Sequence, residues 1–175
     1  ETSMKEWAQG LIRSWNDAGW IDLPVTVGAK LARLIGAKSD EVIATDSVSV
    51  NLFKLASAAL ELAKNRTIIF EETEFPTDQY VAEGVCGITR ARLMRVDEDQ
   101  GQATLAETGG VLIKSVVNYR TAKIVDMAEH EQAAQQGGGV IVWDLCHSVG
   151  VLDHDLVAVG AKLAVGCTYK FLNGG

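Results

Sequence analysis

Residues 139–175 read GVIVWDLCHSVGVLDHDLVAVGAKLAVGCTYKFLNGG. The apolar run GVIVW has glycines behind it and an acid, Asp144, directly ahead. It is too short for a helix and reads as a buried strand. DLVAVG then makes a helical turn, and AKLAVGCT gives a second strand with Lys170 just past its end. Strand, helical turn and strand in succession predict two parallel strands of an α/β sheet. An acid and an amine then lie at the carboxyl edge of that sheet, where α/β folds gather their ligands.

The same alternation extends upstream. TIIFEE after Arg66, ARLMRV from Ala91 and GGVLIKSVV from Gly109 read as further strands, and EVIAT at 41–45 as a short one. Helices are predicted over VSVNLFKLASAALELAK (48–64), PTDQYVAEGV (76–85) and TAKIVDMAEHEQAAQQ (121–136), with Asp46 and Ser47 as candidate caps of the first. The polar stretch from Asp97 to Thr108 is a loop with room for a short helix. Ahead of all this, SMKEWAQGLIRSWNDAG predicts a helix ending at Gly19, and TVGAKLARLIGA a second. The expected architecture is an α/β three-layer sandwich with a mostly parallel sheet. Residues 1–40 form an N-terminal helical segment, and residues 41–175 the sheet domain.

Composition narrows the function. At 175 residues, 47% hydrophobic and 22% charged, the chain suffices for one folded core rather than a disordered segment. A net charge of −7 without a basic stripe argues against nucleic-acid binding. No apolar run reaches the roughly 20 residues of a membrane helix, and no secretory leader pattern opens the sequence. No membrane partner and a cytoplasmic location are expected. Cys86, Cys146 and Cys167 are odd in number and scattered through apolar surroundings, as free thiols of a reducing compartment would be. Cys146, His147 and His154 lack metal-ligand spacing, so no metal is expected.

An acid and a lysine at neighbouring strand ends are what pyridoxal phosphate requires. The lysine forms an imine with the aldehyde, and the acid keeps the pyridine nitrogen protonated. Lys170 and Asp144 are the candidates; the alternative is a loop-capping Asp144 and an exposed Lys170. The phosphate needs amides at a helix start, which Val48 and Ser49 offer, although an ordinary capped helix has the same pattern. Phe75 in FPTDQY could stack on a planar ring, with Thr77 and Asp78 as polar contacts or as a plain cap and first-turn acid. His147 could meet the cofactor or be a structural histidine. Tyr169 could bind phosphate or move protons, or simply pack.

GLIRSWNDAGW, TDSVSVNLFKL, FPTDQYVAEG, VVNYRTAK, WDLCHSVG and GCTYKFLNGG, in that order, closely resemble the kynureninase family. These are fold-type I pyridoxal-phosphate enzymes of the class V aminotransferase group. The resemblance implies the cofactor-binding large domain and hydrolysis of L-kynurenine or 3-hydroxykynurenine to anthranilate or its 3-hydroxy form and L-alanine. It places the chain in tryptophan catabolism, the kynurenine pathway and NAD biosynthesis, as part of a cytoplasmic homodimer. It further implies Lys170 as the Schiff-base lysine and Asp144 as the pyridine partner. Val48, Ser49, Phe75, Thr77, Asp78, Ser115 and His147 line the cofactor. Tyr169 binds phosphate and serves as general acid, and Trp15 faces the substrate's aromatic ring.

The sequence also departs from the family. The family's Gly-rich entry turn and small C-terminal domain, with the arginine that grips the substrate carboxylate, are not among these residues. A fragment or truncation, inactive alone, is therefore expected. Ala122 replaces the glycine usual after NYRT, which should shift one loop. The alternatives are another class V enzyme, a cysteine desulfurase or aminotransferase, and a truncated domain that only binds cofactor or pairs with other chains.

Overall fold

The computed structural model describes residues 2–174. Glu1 and Gly175, the outer limits of the two expected segments, lie outside the described residues. The chain divides into two compact units, Glu1–Thr45 and Asp46–Gly175.

The first unit is helical. Helix α1 spans Thr2–Gly10, a 3-10 turn Leu11–Arg13, α2 Ser14–Asp17, a second 3-10 turn Trp20–Asp22, and α3 Leu23–Ala32. The single helix expected over residues 3–19 is broken. Leu11 takes a positive φ of 47°, and the Ser14 hydroxyl folds over Gly10 to donate to the Glu6 carbonyl at 2.8 Å. EVIAT does not form a strand. It runs over α3, with the Ala44 amide donating to the Pro24 carbonyl at 3.0 Å. At Gly28 a side chain would meet the Val42 carbonyl at 2.0 Å, so only glycine permits that crossing.

The second unit is the sheet. Its elements are α4 (Val48–Leu62), β1 (Thr67–Glu71), α5 (Pro76–Thr89), β2 (Arg92–Val96), α6 (Gly101–Thr108), β3 (Val111–Ser115), α7 (Met127–Gly137), β4 (Val140–Asp144), α8 (Leu156–Val159) and β5 (Leu163–Val165). All five strands are parallel, in the order β2-β1-β3-β4-β5. The chain leaves β1 toward β2 on one side and returns to β3 on the other, so a topological switch point lies between the carboxyl ends of β1 and β3.

Helices cover both faces. Ile68 and Phe70, Val111 and Ile113, and Val140 and Val142 point to one face, where they pack with Leu52, Ala56 and Leu60 of α4 and Ala82 and Val85 of α5. The intervening residues, Ile69, Leu112, Ile141 and Trp143, are buried on the other face, beneath α6 and α7. Burial on both sides explains why these strands read as unbroken apolar runs.

The helix predicted over residues 121–136 starts late. Residues 121–125 instead fold back on the end of β3: Asn118 and Val125 amides donate to the Lys123 and Val116 carbonyls, at 2.9 and 3.1 Å. Asp126 supplies the cap, accepting from the Glu129 amide at 3.1 Å, and α7 begins only at Met127.

Candidate active site

The carboxyl edge of the sheet carries the chemistry. Asp144, the last residue of β4, is buried at 3% exposure and stands opposite Ser115 in the register with β3. Its Oδ1 accepts from the Cys146 amide at 2.8 Å, and its Oδ2 faces the Ser115 hydroxyl at 3.5 Å. These contacts aim the carboxylate and hold it in one orientation. One oxygen of Asp144 thus caps its own turn, and the other faces the Ser115 hydroxyl.

Lys170 is half-buried in the turn after β5. Its Nζ lies 3.0 Å from His147 Nε2 and 5.5 Å from the centre of the Phe75 ring. The His147 pKa is lowered by burial and by the Lys170 charge, against the pull of Asp144. A neutral imidazole can accept from the Lys170 ammonium at this distance. His147 thus sits within the field of both the acid and the amine.

Three rings gather at the same edge. Phe75 meets Tyr119 edge-on at 5.1 Å and His147 at 6.0 Å, and Tyr119 and His147 are 6.4 Å apart. Tyr119 lies in the loop after β3 and is a member of this group that motif reading passed over. Its presence within NYR, one residue from the loop-forming Asn118, was the available signal.

Asp78, in the first turn of α5, is buried at 3% exposure. Burial, with Asp144 and Glu74 nearby, pushes its pKa up to about 7. Two buried carboxylates in one electrostatic neighbourhood mark a place that favours a proton or a cation. Thr77, beside it, is exposed.

Val48 and Ser49 open α4, half-buried, with Val48 packed against the core. Ser47 is the cap, its hydroxyl accepting from the Val50 amide at 3.4 Å. The first-turn amides of such a helix have no carbonyl four residues back to bond. Tyr169 is exposed, with its ring centre 6.0 Å from Lys170 Nζ; the neighbouring Cys167 thiol holds its phenol above the usual range. Trp15 belongs to the first unit, on α2, and its ring is exposed.

Sequence reading missed a buried ion triad at the same edge. Lys114 Nζ lies 2.6 Å from Glu71 Oε2 and 2.8 Å from Glu74 Oε1. All three residues are at most 5% exposed. A charged residue within each of two otherwise apolar central strands, TIIFE and VLIKS, was the signal that could have revealed it. No cluster of three or more histidine, cysteine or acidic side chains suited to a metal occurs among the described residues. None of their helices is long and apolar enough to cross a membrane.

With this geometry established, comparison with solved structures defines the class. The cystine C-S lyase C-DES superposes with a TM-score of 0.76 over 99% of this chain and 50% of its own, at 15% identity. A cysteine desulfurase from Thermococcus onnurineus NA1 matches with a TM-score of 0.70 over 87% and 40%, at 20% identity. The fold is that of the class V aminotransferase and cysteine desulfurase group of pyridoxal-phosphate enzymes. No family model matches the chain. Sequence kinship is narrower: kynureninase from Pseudomonas fluorescens is 44% identical over 98% of the chain, and that from Burkholderia mallei 45% identical over 97%. Over nearly its whole length the chain is thus similar to kynureninases. It spans 43% of the length of these relatives.

Proposed function

We propose that the chain forms the cofactor-binding part of a pyridoxal-phosphate enzyme that hydrolyses L-kynurenine, or 3-hydroxykynurenine, to anthranilate or 3-hydroxyanthranilate and L-alanine. Such an enzyme works in tryptophan catabolism and, through the kynurenine pathway, NAD biosynthesis, as a cytoplasmic homodimer. The kinship to kynureninases supports the reaction and the dimer, and the three free cysteines suit a reducing compartment. The observation that carries the reading is the buried Asp144 and the amine of Lys170, brought to one edge beside His147.

The residues fit the cofactor. Burial pushes Asp78 up to about 7, with the Asp144 charge adding to it, so a further positive charge such as a protonated ring nitrogen would be favoured beside these acids. Phe75, Tyr119 and His147 offer aromatic surfaces suited to a flat heterocycle. Asp144 would hold the ring nitrogen, Lys170 the aldehyde carbon, and Val48 and Ser49 the phosphate at the start of α4. Thr77, Ser115 and Tyr169 would complete the contacts.

Bound there, pyridoxal phosphate supplies an electron-withdrawing ring that accepts negative charge from the substrate's α carbon. The chain's groups then divide the proton work. Asp144, held in place by the Cys146 amide, would accept a hydrogen bond from the ring nitrogen. The Lys170 amine would remove the α-proton, oriented by His147 at 3.0 Å. Tyr169, its phenol held protonated beside Cys167, is the general acid.

Borohydride reduction of the full-length protein loaded with pyridoxal phosphate should trap the cofactor on Lys170. Lys170→Ala should lose both the visible absorbance and anthranilate release. An adduct on another lysine, or an unchanged spectrum in the variant, would overturn the assignment.

A further inference from the structure

The turn between β1 and α5 carries Phe75 and Asp78, and it is tied down in an unusual way. Glu74 is 4% exposed although it lies in that turn. Its Oε1 receives Lys114 Nζ at 2.8 Å, and its Oε2 accepts from the Ser115 amide at 3.2 Å. Glu71 is used up in the same manner: Oε2 takes Lys114 Nζ at 2.6 Å, and Oε1 accepts from the Gly101 amide at 2.9 Å. Each of the four carboxylate oxygens thus holds one donor, and Glu74 cannot move without releasing one of them.

The two sides of the sheet meet at this point. Lys114 and Glu71 alternate with Ile113 and Phe70, and so lie on the α6/α7 face, whereas Ser115 lies on the α4/α5 face opposite Asp144. Glu74 connects them, with one oxygen on the lysine and the other on the amide of the residue whose hydroxyl reaches Asp144 at 3.5 Å. Burial weakens the Lys114 ammonium, but Glu74 and Glu71 outweigh it and hold its pKa above the ordinary value. Lys114 is therefore a fixed cation, and Glu74 is the movable end of the clamp.

We propose that Glu74 is a positioning residue for the cofactor site: anchored by Lys114, its carboxylate clamps the turn bearing Phe75 and Asp78 to the backbone of Ser115, and so sets where those two residues stand relative to Asp144. The proposal rests on the cofactor reading above. A pair present only for stability has no need of the second contact, the one to the Ser115 amide. Apart from that contact, the Asn118 side-chain amide donating to the Thr73 carbonyl at 3.2 Å ties the turn to the loop after β3.

Glu74→Gln is the discriminating variant, because it leaves the Lys114–Glu71 pair intact. Lys114 and the Ser115 amide are held by different oxygens of Glu74, and Gln turns one of these acceptors into an NH2 that faces another donor. In the full-length protein, affinity for pyridoxal phosphate should fall about tenfold or more, with reduced visible circular dichroism of the bound cofactor. Hydrogen exchange of residues 72–79 without cofactor should quicken about tenfold, while that of β4 stays unchanged. A Glu74→Gln protein whose exchange in this turn matches the parent overturns the clamp, whatever the cofactor does. Faster exchange with unaltered affinity and dichroism shows a structural tie alone, and overturns the positioning role. A parent protein that gains no visible band from pyridoxal phosphate sinks the cofactor reading instead, and the exchange result still decides the clamp.

Discussion

The two faces of the sheet are built on different principles. Between the strands and α4/α5 the layer is apolar from Ile68 and Phe70 to Val140 and Val142, and buried polar groups, Ser115, Asp144 and Asp78, enter it only at the carboxyl edge. Beneath α6 and α7 the same strands bury Glu71, Lys114 and Trp143, whose indole N–H donates to Glu131 Oε1 at 2.8 Å. The apolar face needs only volume and shape, and it tolerates small changes. The polar face is correct only when each charge finds its partner. Its polar groups Glu71 and Lys114 come within one residue of the carboxyl edge, where the candidate site begins. The charged face therefore serves the edge, and the apolar face holds the sheet together.

The first way to break this contrast is Lys114→Met. The substitution keeps most of the volume but leaves Glu71 and Glu74 facing each other in a buried space. Loss of one partner from a buried ion cluster costs about 3–5 kcal/mol. Ile113→Val, one residue away on the apolar face, should cost only about 0.5–1.5 kcal/mol. In the variant Glu74, already raised by burial, loses the cation that favoured its ionised form, so its folded-state pKa rises further above that of the unfolded chain. The loss in stability should then be greatest near pH 8 and shrink as that acid takes up a proton, toward about pH 5. Urea denaturation across that range checks it. A loss independent of pH would mean that packing, not charge, matters on this face.

Asp78 sharpens the comparison, because it is an acid on the apolar side. Its pKa stands at about 7 in the folded protein against an ordinary 3.8. A raised acid destabilises the fold where it must be ionised, above the folded value, and the penalty fades as pH falls to the unfolded value. The difference of roughly three pH units sets an upper bound of about 4 kcal/mol. Asp78→Asn should therefore stabilise the cofactor-free protein near pH 8, by about 1–3 kcal/mol after solvent screening, and gain nothing near pH 4. Thermal unfolding at the two pH values gives the answer. No gain at high pH would mean that Asp78 is paired or hydrated well enough to ionise freely.

Much of this was legible in the residues. Short apolar runs alternating with helical patterns gave the α/β class, and acids or hydroxyls after those runs marked the edge. EVIAT misled because five residues of strand-like composition look the same whether they meet another strand or, as here, cross a glycine on a helix. TAKIV misled because the fold-back that removes it from α7 depends on Asn118, whose side-chain oxygen accepts from the Arg120 and Thr121 amides. The Lys114 triad stayed hidden because its members are 43 and 40 residues apart in sequence and become neighbours only through the β1–β3 pairing.

The smallest expected effect concerns the loop that carries Tyr119 over the edge. Ala122 has φ of 57°, in the left-handed region where a Cβ is crowded by the backbone. Its amide donates to the Asn118 carbonyl at 2.9 Å, so the turn holds the residue there despite the strain. The residue thus holds a conformation suited to glycine. Ala122→Gly relieves the strain but adds freedom to the unfolded chain, and the two effects oppose each other. Strain relief of about 1–2 kcal/mol exceeds the entropic loss of about 0.5–1, which leaves a net gain of about 0.5–1 kcal/mol. Because Ala122 is exposed and lies outside both buried layers, the gain should be the same at every pH and in the Lys114→Met background. A gain that vanished in that background would tie the loop over the edge to the charged face below it.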